Sequence, residues 1–295
     1  MDIIALINKL GYGTIGKDWY AKVEDWRSWY KGNNKDFHRY NVYNGTQFVS
    51  CERATLGMAK KVCEDKADLL LNERVEINVG NEQAQAVIDD VLEANNFWVR
   101  GNQLVEVANA TGTGAFIEYL DSGRVSIDYV DAGSIYPLRW SNGKIIDCAF
   151  ASCDESGGNK TYYISVHVLE VNQYVVRNYL FNEDGNEITL PDGMAAEWNT
   201  GSDQPCFQII CPNIANNVEP GYPMGIAAFA NSIDVLKAID LVYDSYRNEF
   251  QLGKKRIFVD DSMIKVSHED GKVKPVFDSR DTVFYGISMG DSATK

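Results

Sequence analysis

Residues Gly221 to Asp260 read GYPMGIAAFANSIDVLKAIDLVYDSYRNEFQLGKKRIFVD, and their spacing decides how the chain divides. Ile226, Phe229, Ile233, Leu236, Ile239, Tyr243, Tyr246 and Phe250 recur at helical intervals. Asn231, Asp234, Lys237, Asp244, Ser245, Asn248 and Gln251 fall largely off that stripe. Pro223 suits a first helical turn, where there is no intrahelical N–H bond to lose. Gly253 suits the stop. The spacing predicts one amphipathic helix over 224–251, about 42 Å long at about 1.5 Å per residue. A helix of that length with a polar face bridges regions or lines an assembly. The plainer alternative is the central helix of an ordinary α+β domain.

Working outward, residues 1–50 read as two short helices and a loop. Asp18 to Tyr30 is rich in Trp and Tyr, and Lys31–Asp36 is a polar break. Glu52–Asn72 has one apolar face and predicts a helix. Arg74–Val79 alternates and predicts a strand. Asn81 suits an N-cap for a helix running to Ala94, and a third helix over Phe97–Asn109 stops in the TGTG of residues 111–114. The period then changes to two. Runs at 115–120, 124–130, 134–140, 144–152, 160–169 and 173–181 are separated by Gly, Asn and Asp, which predicts an antiparallel meander. Residues 185–220 are loop-rich, with a short strand at Cys206–Cys211. Arg256–Asp260 and Val283–Ile287 read as strands of a small further unit. The expected class is α+β: a helical N-terminal part packed on an antiparallel meander, then a long stem-like helix, then a short β unit.

Three segments together resemble the portal proteins of tailed bacteriophages of Gram-positive hosts. One is the long-helix stretch from Gly221 to Val259. A second is W-x-x-W-Y-x-G, carried by Trp26, Trp29, Tyr30 and Gly32. The third, ERATLGMAKKVCEDKADLLLNE from Glu52 to Glu73, is similar to the family's first long wing helix. The resemblance covers most of the chain, in the family's order. It implies a wing-like α+β domain over 1–220, a stem helix over 221–253 and the start of a clip over 254–295. The family continues with a second stem helix and a crown, so a chain reaching only Lys295 is expected to be truncated or unusually short.

The resemblance also implies a non-enzymatic subunit of a twelve-fold ring at one capsid vertex, a conduit for DNA packaging and ejection and the head–tail connection. Its partners would be further copies of itself, the terminase motor, the scaffold or major capsid protein, a head–tail adaptor and passing double-stranded DNA. Its place would be the virion, and the host cytoplasm during assembly. Two other classes stay open on the residues alone. One is an intracellular α+β enzyme, which a pocket of perturbed ionisable groups would favour. The other is a different capsid or tail interaction protein.

Composition narrows these classes. The net charge is −14, from 42 acidic and 28 basic residues. That argues against a protein that grips nucleic acid by neutralising phosphates. It is compatible with a wall past which DNA slides, and equally with simple solubility. Cys51, Cys63, Cys148, Cys153, Cys206 and Cys211 include no C-x-x-C pair, and the chain has enough apolar residues to need no disulfide framework. Reduced thiols in an intracellular compartment are expected. The apolar run from Ile3 to Ile7 follows an acid and does not read as a signal peptide. No stretch has the length of a membrane span.

Catalytic and binding motifs are sparse. Gly11, Gly13 and Gly16 match G-x-G-x-x-G, but no apolar strand abuts the first glycine and no βαβ unit follows, so a plain turn is expected. Cys148, Cys153, Cys206 and Cys211 form two C-x4-C pairs. They suit either a structural zinc or core packing, and packing is expected because Cys148 sits beside Ile146 and Phe150. His38, His167 and His268 lie near no nucleophile-elbow pattern. His167 alternates with Ser165 and Leu169, as a structural or surface residue would. Asp128 and Asp131 fall on a strand and in a turn, an improbable shared geometry. The sequence therefore predicts no catalytic residue, cofactor or metal.

In the portal reading, Asp234, Asp240, Asp244 and Glu249 are the candidate channel-lining residues. Lys254, Lys255 and Arg256 are the candidate contacts to the DNA backbone. The alternative for the acids is a solvated face with Asp240, Asp244 and Arg247 paired along the helix. For the basic trio it is electrostatic support of a helix C-terminus.

Overall fold

Period-two alternation builds the centre of the molecule. The computed structural model describes residues 2–43, 45, 47–72, 74–155 and 158–253, together with short strands beyond them. They form two compact units, Met1–Ala238 and Ile239–Lys295. In the first unit β5 (Ile135–Ser141), β6 (Lys144–Asp154), β7 (Thr161–Glu170) and β8 (Gln173–Phe181) pair antiparallel in sequence order. The short β9 (Glu187–Ile188) and β10 (Glu197–Asn199) add to β8. Along β6, Cys148 and Phe150 face one hydrophobic cluster while Ala149 and Ala151 face the other, as the pleat requires. The sheet is thus buried on both sides.

The strands expected between 115 and 181 are present nearly residue for residue, but they do not make one meander. β3 (Gly114–Asp121) and β4 (Arg124–Asp131) belong to a separate three-stranded sheet, completed by β11 (Phe207–Ile210) pairing with β3. The break is a 3-10 turn at Ala132–Ser134, where the Asp131 carboxylate accepts the Gly133 N–H at 2.8 Å.

Helices cover these sheets. The helix α1 (Ile3–Lys9) drives Leu6 and Ile7 into the cluster under Ala149, Ile164 and Val166. On the other face lies α2 (Lys17–Tyr30), which buries Trp19, Val23, Trp26 and Trp29 at i, i+4, i+7 and i+10. Against α2 packs α6 (Phe97–Thr111), and against both packs α4 (Met58–Leu70). The helix α5 (Glu82–Ala94) starts as expected at Asn81, whose side chain accepts the N–H groups of Gln83 and Ala84.

Three expectations are corrected near the N-terminus. The helix read over Glu52–Asn72 begins only at Met58, after Gly57 in the left-handed region at φ +71°. Within residues 1–50, expected to end in a loop, residues 39–43 and 48–50 are strand. They form a hairpin of β1 (Arg39–Tyr43) and β2 (Phe48–Glu52), which follows the one-turn helix α3 (Lys35–His38). Arg74–Val79 is not a strand. Its backbone is satisfied by a side chain, with Gln85 accepting from Val79 N–H at 2.8 Å and donating to the Ile77 carbonyl at 2.9 Å.

The largest correction falls on the opening stretch. The long helix does not begin at Met224. A 3-10 turn at Ala230–Ser232 leads into α7 (Ile233–Leu252), which is about 30 Å long at about 1.5 Å per residue. Residues 221–229 are irregular, and Met224, Ile226, Ala227 and Phe229 are buried in the main core. Their backbone is paired with the end of α6: Ala228 N–H donates to the Asn109 carbonyl at 2.7 Å, and Gly225 N–H to the Thr113 hydroxyl at 3.1 Å. Gly225 and Gly112 cross so closely that a Cβ on either would overlap the other's carbonyl oxygen. Apolar residues at helical spacing here serve a buried, non-helical strap.

In the second unit, β12 (Ile257–Asp260) pairs in parallel with β15 (Phe284–Ile287). There β13 (Val266–Glu269) pairs antiparallel with β14 (Lys272–Pro275).

Candidate functional site

The helix α7 carries the acidic set, and its geometry divides that set. Successive residues turn by about 100°, so Leu236, Asp240 and Tyr243 share one side, with Ile233 and Asp244 beside them. This is the least exposed side, and Asp240 itself is only 5% exposed. Asp244 is half-buried and accepts from Asn248 Nδ2 at 3.2 Å. Asp234 and Glu249 fall on the exposed side, and Asp234 holds Lys237 at 3.0 Å. The four carboxylates therefore do not form one continuous acidic face. Lys254, Lys255 and Arg256 lie outside the described residues.

The apolar stripe is also divided. Leu236 is buried, and Ile233, Ile239 and Tyr243 are half-buried. Tyr246 and Phe250, read from the sequence as part of that stripe, are exposed and stack edge-on with ring centroids 4.7 Å apart. They align with exposed Val235 and Val242 at i, i+7, i+11 and i+15. The helix thus has a second apolar face that is exposed among the described residues.

Elsewhere the described structure does not bring the other candidate residues together. His167 is buried, edge-on to Phe150 and Phe207, with its Nε2 3.2 Å from the Ser165 hydroxyl. Burial pulls its pKa down to about 4, so the ring is neutral at pH 7. Its Nδ1 has no hydrogen-bond partner among the described residues, so no carboxylate orients it as a catalytic base. Cys148 and Cys153 are five positions apart on β6 and point to opposite faces, the first buried and the second exposed. Among the described residues no group of three or more His, Cys, Asp or Glu could hold a metal ion. The segment with Gly11, Gly13 and Gly16 joins two helices, with no strand before it, so it lacks the strand–turn–helix of a dinucleotide site.

Asp128 and Asp131 are likewise separated in role. Burial raises the Asp128 carboxyl. Burial would also raise Asp131, but the Arg27 guanidinium, at 2.9 and 3.2 Å from its two oxygens, and the Gly133 N–H hold it below the usual range. A lowered carboxylate contributes stability that is present above its unfolded pKa, about 3.9, and is lost as pH falls through the folded value. Arg27→Met should therefore cost about 2 kcal/mol at pH 7. The gap to wild type should narrow as the pH drops below about 4. Urea unfolding between pH 7 and 3 tests this, and a gap that stays constant with pH would show that the ion pair is not the cause.

The sequence reading missed the exposed apolar hairpin of β1 and β2, where Val42, Tyr43, Phe48 and Val49 face solvent. Asn44-Gly45 between two alternating runs is the signal that marks it. Among the described residues, no helix is long and apolar enough to cross a membrane.

The family described as phage portal protein, SPP1 Gp6-like, matches residues 14–290, which span α2 to α7 with the sheets between them and the strands that follow. No individual curated protein matches the chain. With helices on antiparallel sheets, a strap feeding one long two-faced helix, and a family match across nearly its whole length, the chain belongs to the SPP1 Gp6-like family of phage portal proteins.

Proposed function

We propose that the protein is a non-enzymatic ring subunit at a capsid vertex, through which double-stranded DNA is packaged and ejected and to which the tail is joined. The family match over residues 14–290 carries this reading. In it, residues 1–220 act as the wing, 221–253 hold the stem helix and 254–295 begin the clip. The open second face of α7, with Val235, Val242, Tyr246 and Phe250, suits a helix that gains neighbours on assembly. The net charge of −14 suits a channel that repels phosphates.

Of the acidic set, Asp234 and Glu249 are the carboxylates this reading places on the wall, because they are exposed. Asp240 and Asp244 lie on the less exposed side and belong to the support of the helix. Lys254, Lys255 and Arg256 remain the proposed point of transient phosphate contact. Partners are further copies in a twelve-fold ring, the terminase, the scaffold or major capsid protein and a head–tail adaptor. The protein would be found in the virion, and in the host cytoplasm during assembly. Negative-stain electron microscopy of the purified protein should show closed rings with a channel of duplex width. A protein that stays monomeric at every concentration and is absent from virions would overturn the reading.

A further inference from the structure

We propose that the β1–β2 hairpin is a docking arm that seats on the α5 end of a second copy of this chain. The inference rests on the ring reading and names its contact.

The base of the arm is held, with Arg53 over the Tyr40 ring, but among the described residues its tip has no packed face. The arm is a two-stranded sheet, and an isolated hairpin is marginal in water without a third strand or a packed face. Its register pairs Val42 with Val49 and Tyr43 with Phe48. Neighbouring positions along a strand point to opposite faces, so one face carries the valine pair and the other the aromatic pair. All four side chains are exposed, Phe48 by 73%. The Tyr43 and Phe48 rings lie against each other, with centroids 5.4 Å apart and planes tilted by 56°.

The seat is equally unfinished. The apolar residues of α5 recur at helical spacing, yet none of its residues is buried. Val87 is 63% exposed. The helix is not loose at its C-terminal end, where Asn95 donates to the Val125 carbonyl at 2.9 Å and accepts from Ile127 N–H at 2.8 Å. Leu69 and Leu70, at the C-terminal end of α4, are exposed as well.

Arm and seat lie at opposite ends of α4. The hairpin leads into Thr55, which packs on Gly32 and accepts from Gly57 N–H before the first turn of α4. At the other end, the Leu71 carbonyl accepts from Asn102 of α6 at 2.6 Å. The helix between spans about 20 Å. Two different patches, well apart on one body, mate head to tail, and such contacts close into a ring when the rotation closes.

Charge selects the pairing. The helix α5 carries Glu82, Asp89, Asp90 and Glu93 and no Lys or Arg. Asp90 stands three residues from Val87, on the neighbouring strip of surface. The arm and its foot carry Lys35, Arg39 and Arg53, and Lys31, Lys60 and Lys61 line the adjoining depression. Lys60 and Lys61 are held by Glu106 and Asp65, while Lys35 and Arg39 lie exposed. Asp36, Glu52 and Glu64 offset part of this charge, and Glu52 pairs with Arg39 in register. In a chain of net charge −14 a small excess of cations still remains here, which an acidic-rimmed apolar face complements.

The test pairs Phe48→Cys with Val87→Cys in a background where Cys51, Cys153, Cys206 and Cys211 are serine. A short bis-maleimide should link the assembled double variant into a ladder of multimers on a denaturing gel, and leave each single variant monomeric. A second measurement uses charge: Arg39→Glu or Asp90→Arg alone should raise the concentration needed for assembly at least tenfold, and the two together should restore it. Rings that form in wild type but do not cross-link and ignore both charge changes would overturn this contact and leave the ring reading standing. Dimers from either single cysteine variant would also overturn it, because they require a self-mating patch. A wild-type protein that never assembles would remove the ring reading itself.

Discussion

Gly112→Ala is expected to destabilise the protein by about 3–5 kcal/mol, from two costs that other variants separate. Gly112 has φ +89°, a left-handed conformation that costs other residues about 1–2 kcal/mol. The added methyl would also overlap the Gly225 carbonyl oxygen, a backbone atom that cannot swing aside. Gly11→Ala isolates the first cost. Its φ is +87°, but nothing stands within 4 Å of the new Cβ, so about 1–2 kcal/mol is expected. Gly225→Ala isolates the second cost, because it meets the Gly112 carbonyl without a positive φ. Urea unfolding followed by circular dichroism gives all three values. If Gly112→Ala costs no more than Gly11→Ala, the two backbones do not cross as described. The effect should reach function, since residues 221–229 lead directly into α7, and a strap that cannot seat leaves the start of that helix unplaced.

Trp19→Ala should cost about 3–5 kcal/mol, the range for deleting a large buried aromatic. Trp19 is 1% exposed and meets Trp26 and Tyr222 edge-on, with centroids 5.7 and 5.8 Å away. It therefore joins α2 to the strap. Its indole Nε1 has no hydrogen-bond partner among the described residues. Trp19→Phe removes that buried donor along with part of the ring, so its cost should stay under about 2 kcal/mol. A double-mutant cycle with Tyr222→Ala should be non-additive, by about 0.5–3 kcal/mol, because the two rings share one contact. A Trp19→Ala protein within 1 kcal/mol of wild type would mean that this cluster does not anchor the strap.

The sequence by itself determined the elements whose pattern and environment agree. The six runs between 115 and 181 became β3 to β8 because short β-rich runs bounded by Gly, Asn and Asp match strands joined by tight turns. The tryptophan stripe of α2 and the Asn81 cap of α5 were legible for the same reason: local spacing and local hydrogen bonding both point to one conformation. The α+β class and the family followed from these elements and from the order of the three quoted segments.

Tertiary structure decided the rest. Helical spacing from Ile226 to Phe229 continues that of α7, so no local signal separates strap from helix. The separation comes from the crossing of Gly225 with Gly112 and from two backbone donors taken by Thr113 and Asn109, more than a hundred residues earlier. The 74–79 segment alternates like a strand, but Gln85 supplies the partners a neighbouring strand would have supplied. The meander split because β11 offered β3 an edge, a pairing across some ninety residues that periodicity does not encode. The acidic residues of α7 were legible as a set, but not by side. Which carboxylate meets solvent depends on the direction from which a helix is covered. A repeat of 3.6 residues per turn fixes only which residues lie together, and packing alone chooses the side that faces in.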